Sequence, residues 1–162
     1  MDIKEAIKKL ESSGIFKKFK EKNSGYYLVH AFTMVIGDQQ DWQIGYYGKT
    51  SDKVVVFDVG RKITQAPEQE VLKQKKTINK LLISKVKLDA KAALKLAEKA
   101  NTAHETVTKR ILILQNLENK QVYNITLVTT NFNIITVRVN AENGQVLKET
   151  KQSIMSLGQR VE

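Results

Sequence analysis

The chain has 162 residues, 41% hydrophobic and 27% charged, with one proline, eight glycines and no cysteine. That balance fits a globular chain of one domain or two small ones and excludes disordered, collagen-like and multi-span membrane proteins. The formal net charge of +10 is concentrated: residues 61–110 hold thirteen Lys or Arg against five Asp or Glu, while the flanks nearly balance. Without cysteine there is no disulfide scaffold, thiol nucleophile or thiolate metal site. The first residues, Met1-Asp2-Ile3-Lys4-Glu5, leave no apolar signal-peptide core, and no stretch approaches the roughly 18 apolar residues of a membrane span. The expected location is cytoplasmic, or extracytoplasmic if an N-terminal anchor has been removed.

Ile3, Ala6, Ile7 and Leu10 recur at helical spacing, and Ser13 is placed to cap a second short helix carrying Phe16 and Phe19. Residues 26–36 alternate as a strand, with Leu28, His30, Phe32, Met34 and Ile36 assigned to one face. A loop containing Asp38 and Asp41 leads to a second strand with Trp42, Ile44 and Tyr46, and Lys53–Val59 forms a third. Pro67, followed by Glu68 and Glu70 and later by Lys73, Lys75, Lys76 and Lys80, predicts a helix aligned with its dipole. Asp89 caps a further helix over about 89–101. Three strands follow near 108–116, 121–130 and 132–140, and their strict alternation predicts an antiparallel sheet with one wet face. Asn143-Gly144 marks a hairpin turn between Val139 and Val146.

Both halves read helix, strand, strand, strand, then a turn and a helix. Trp42-Gln43-Ile44-Gly45-Tyr46-Tyr47 lies over Tyr123-Asn124-Ile125-Thr126-Leu127-Val128, which predicts an internal repeat. The expected division is an N-terminal α+β unit at 1–66, a basic linking helix at 67–85 and a C-terminal α+β unit at 86–162.

The second copy resembles the PepSY family. Lys87-Leu88-Asp89-Ala90-Lys91-Ala92-Ala93-Leu94-Lys95-Leu96-Ala97 is similar to that family's capped, alanine-patterned helix. Asn140-Ala141-Glu142-Asn143-Gly144-Gln145-Val146-Leu147 is similar to its final turn. The resemblance covers about residues 86–150, and the first copy joins it through element order alone. It implies an α+β fold of two cystatin/PepSY-like units, each a helix packed on a curved antiparallel sheet. It further implies a noncatalytic role in binding or regulating peptidases.

No residue pattern calls for chemistry. His30 and His104 stand apart, and neither a serine-nucleophile elbow nor a phosphate-binding glycine loop is present. No catalytic, metal-binding or cofactor-binding residue is expected. Tyr27, Trp42, Tyr46 and Tyr47 are candidate ligand-binding aromatics, with ordinary sheet packing as the competing explanation. Lys73, Lys76, Lys80, Lys91, Lys95 and Lys99 are candidate polyanion-binding residues. Against them, Lys91, Lys95 and Lys99 fall at the spacing of a helix's solvated face, and 61–110 has no aromatic residue to stack on bases. The expected function is a noncatalytic peptide- or protein-binding module using a sheet edge. The alternative is a basic accessory protein that binds nucleic acid or another polyanion.

Overall fold

The computed structural model describes residues 1–37, 40–67, 69–70 and 78–154. Helix α1 (Ile3–Glu11) begins where Glu5 accepts from the Asp2 N–H at 3.3 Å, and it buries Ile3, Ala6, Ile7 and Leu10. Ser13 caps α2 (Gly14–Lys22) by accepting from the Phe16 N–H at 3.2 Å, as its position predicts. Asp89 does the same for α3 (Ala90–Glu98), accepting from Ala92 N–H at 2.7 Å.

Nine strands among the described residues form one antiparallel sheet. They are β1 (Tyr27–Val35), β2 (Trp42–Gly48), β3 (Lys53–Val59), β4 (Ile63–Gln65), β5 (Gln69–Glu70), β6 (Val107–Leu117), β7 (Lys120–Thr129), β8 (Asn133–Asn140) and β9 (Val146–Ser153). The order across the sheet is β4-β3-β2-β1-β6-β7-β8-β9, with β5 also pairing β3. The first strand of each half therefore meets the other at the centre, where β1 runs antiparallel to β6. Successive strands of each half extend outward from that seam. All three helices lie on one face, and their apolar residues join Ala31, Ile44, Phe57, Leu114, Ile125 and Val137 in one core.

Three predictions are corrected. In the second half the Asn143-Gly144 turn leads into strand β9 and not directly into the expected helix, because Val146–Ser153 pair with β8. Leu28 pairs with Tyr46 while His30 pairs with Gly45, so one residue of β1 is a bulge at that step. Leu28, Ala31 and Thr33 thus face the helices, whereas His30, Phe32 and Met34 face away from them. The helix expected from Pro67 is absent from the described parts of its span: Gln69–Glu70 pair with β3, residues 78–82 have no helix, and Ile83–Lys85 make a single 3-10 turn. Residues 71–77, including Lys73, Lys75 and Lys76, lie outside the described residues.

Candidate functional site

The four candidate aromatics are divided between the two faces of the sheet. Trp42 is wholly buried beneath the helices and donates its indole N–H to Met1 O at 2.9 Å. Tyr46 packs among Phe16, Phe19 and Phe57, and burial, then the nearby Glu11 carboxylate, pushes its phenol pKa far up. Tyr27 and Tyr47 meet edge to face on the opposite side, with centroids 5.7 Å apart. Tyr27 donates to Ile78 O at 3.0 Å, and Tyr47 donates to Asp52, a bond that, with burial, pushes Tyr47 up to about 12. No single pocket gathers all four.

Lys80, Lys91, Lys95 and Lys99 are exposed, and the last three form one row along α3. Their row has no carboxylate partner among the described residues. Glu98, on the helix flank, pairs instead with Arg110 at 2.7 Å. Asp38 lies outside the described residues. Among those described, no three His, Cys, Asp or Glu side chains gather where they would hold a metal ion.

His30 lies against the backbone of Gly45: a Cβ built there would fall 2.1 Å from the imidazole Cε1. The half-buried ring has no hydrogen-bond partner among the described residues, and desolvation lowers its pKa. Glu105 sits in the opposite kind of environment. Its carboxylate accepts from Asn131 at 3.0 Å and Asn133 at 2.7 Å, and these bonds hold it below the usual carboxylate range.

The turn after β8 has a structural task. Ala141 O accepts from the N–H groups of Lys87 and Leu88 at 2.9 and 3.0 Å, and Asn140 Oδ1 accepts from Glu142 N–H at 2.8 Å. Tyr123, whose phenol pKa burial raises, donates to Leu88 O at 2.8 Å. Together these bonds tie the entrance of α3 to the sheet. Gly144 permits the turn at φ +78°, a conformation that strains residues bearing a Cβ.

The two ends of the sheet differ. At one, β3 is covered by β4 and β5, and Ala66 N–H adds a bond to Val56 O at 2.8 Å. At the other, no described strand pairs with the outer side of β9. Ile154 N–H bonds Phe132 O at 2.7 Å, so alternation turns the backbone groups of Gln152, Thr150 and Lys148 toward β8. Those of Glu149 and Lys151 turn outward, and the alternation ends at Leu147, where the register with β8 shifts by one residue. This edge is eight residues long and almost wholly exposed, with Leu147 and Val146 among its apolar side chains. Composition gave no sign of it, because being an edge is a matter of topology; the signal was the Asn-Gly turn followed by Val146.

Comparison with known proteins agrees with the C-terminal geometry. Residues 87–150 match the PepSY family, described as the peptidase propeptide and YPEB domain. The chain is thus similar to a PepSY domain over that span. The fold is also similar to that of a "putative lipoprotein" from Clostridium difficile 630, at 17% identity and a TM-score of 0.57. That alignment covers 85% of this chain and 90% of the other, and at such identity it establishes fold alone. No curated protein matches the chain.

Proposed function

We propose that the chain is a noncatalytic peptide- or protein-binding module in which an extended partner segment adds a strand to β9. The observation that carries this reading is the contrast between the two edges: β4 and β5 run for only three and two residues, whereas β9 runs for eight and turns the donors and acceptors of Glu149 and Lys151 outward. Strand addition draws its affinity from such main-chain groups. A tandem arrangement of two PepSY-like units is supported by the mirrored strand order about the β1–β6 seam. The description of the family supports a peptidase as the partner class. The neighbour's description as a lipoprotein supports a place outside the cytoplasm.

The test uses peptides selected from a random display library on the immobilised chain. In Glu149→Pro the ring removes an outward N–H and blocks the edge, while the bonds to β8 are kept. Selected peptides should bind the wild type and lose at least about tenfold in affinity to this variant. Unchanged binding would place the site elsewhere.

One observation favours a second reading, polyanion binding: the unpaired row Lys91, Lys95 and Lys99. Three phosphate contacts would lower affinity by about 40-fold between 50 and 200 mM salt. A salt-independent interaction with labelled nucleic acid, or none, would remove this reading.

A further inference from the structure

The sheet face away from the helices is unusual in its layout. Cross-strand pairing places Asp58, Gln43, Phe32, Ile113, Asn124 and Arg138 in one row across β3, β2, β1, β6, β7 and β8. Thr64 on β4 continues the row beyond Asp58, and Lys148 on β9 continues it beyond Arg138. A carboxylate therefore stands on one side, a guanidinium and an ammonium on the other, amides inside them and two apolar side chains at the centre. The next row adds Met34 beside Ile111, and Met34 is 37% exposed. Asp58 and Arg138 are half-buried, yet neither has an ion-pair or hydrogen-bond partner among the described residues.

From this row we infer that the face docks a second copy of the same chain. A twofold axis lying between two facing sheets, parallel to the strands and over the β1–β6 seam, reverses the row of the partner. Asp58 then faces the second copy's Arg138, Gln43 faces its Asn124, and Phe32 faces its Ile113. Each contact occurs twice, as an isologous interface requires. The other in-plane axis, across the strands, would set Asp58 on Asp58 and Arg138 on Arg138, and like charges reject it. A partner of uniform charge would satisfy one end of the row and oppose the other, so self-pairing fits this face better than a uniformly acidic or basic protein. The helices stay outside the pair, and the β9 edge stays open, so this inference stands apart from the strand-addition reading.

Five inter-strand steps span about 24 Å, and three rows with their margins about 20 Å, which gives roughly 500 Å² of projected contact per copy. Stable complexes bury about 800 Å² per partner. The dimer is accordingly weak and forms at high concentration.

Sedimentation velocity of the whole chain from about 5 to about 500 μM tests this. The weight-average mass should rise from one chain toward two over that range. Asp58→Arg and Arg138→Asp should each weaken association at least about tenfold, and the double reversal should restore it. Raising salt should weaken the wild-type dimer, which keeps the test valid if a reversal impairs folding. Glu149→Pro should dimerise as the wild type does. A monomer throughout, unchanged association in both single reversals, or no rescue in the double variant would overturn the inference. So would loss of the dimer in Glu149→Pro, which would assign association to the strand edge.

Discussion

Replacing Gly45 by alanine probes the contact that shapes the middle of β2. The added Cβ would fall 2.1 Å from the His30 imidazole, so the ring must leave its place over the strand. Overpacking of this kind costs about 1–3 kcal/mol. Against that, alanine restricts the unfolded chain and returns about 0.4–1 kcal/mol. The net expectation for Gly45→Ala is a destabilisation of about 1–2 kcal/mol. In a His30→Ala background the obstacle is gone, and the same substitution should become neutral or stabilising by up to about 1 kcal/mol. The coupling between the two sites is then about 1–3 kcal/mol, well above the few tenths expected of independent positions. Urea unfolding of the four proteins in the cycle measures it, with equal slopes as the check that the unfolded states match. Additive effects within about 0.5 kcal/mol would refute the argument, because they would mean that Gly45 is not needed to seat His30.

Two further expectations follow from the same chemistry. Burial holds His30 below its ordinary pKa of 6.5, so the unfolded chain binds the extra proton first. Its contribution to stability is present above pH 6.5 and is lost as pH falls from there through the lowered folded value. Glu105, held low chiefly by Asn131 and then by Asn133, contributes above its ordinary 4.5 and loses that contribution on further acidification. Chemical unfolding across pH should show His30→Gln removing the upper loss and Glu105→Gln the lower one; a single step insensitive to both would contradict the assignments. Trp42→Ala should cost about 3–5 kcal/mol, with loss of the hydrogen bond to Met1 O, whereas removing the exposed charge by Lys95→Ala should change stability by less than about 0.5 kcal/mol. A stable Trp42→Ala protein would mean the indole is not a core element.

What could be read from the sequence depended on whether the physics was local. Asp89 and Ser13 announce their helices because a cap needs only a side-chain oxygen three residues before an orphan N–H. The strands β7 and β8 were legible because Tyr123, Ile125 and Leu127, then Ile135, Val137 and Val139, alternate without interruption against one core. Counting by twos failed in β1 for a definite reason. One bulged residue between Leu28 and His30 moves Leu28 to the helix side and leaves His30, Phe32 and Met34 on the other. Around Pro67, a helical charge pattern gave way to pairing of Gln69 and Glu70 with β3, a tertiary contact that local propensity cannot register.

The candidate sites follow the same division. Lys91, Lys95 and Lys99 were placed on one exposed helical face by spacing alone, and there they lie. The aromatics of β1 and β2 were legible as strand residues, but their separation into a buried pair and an opposite-face pair depends on the register at the bulge. The β9 edge carries no comparable pattern, since nearly every one of its side chains is exposed. Its availability comes from the order in which eight strands are laid beside one another. The same order brings Asp58 and Arg138, eighty residues apart, to opposite sides of the seam in one row. A substitution at either position therefore changes little within the monomer and acts on the surface that only the assembled sheet creates.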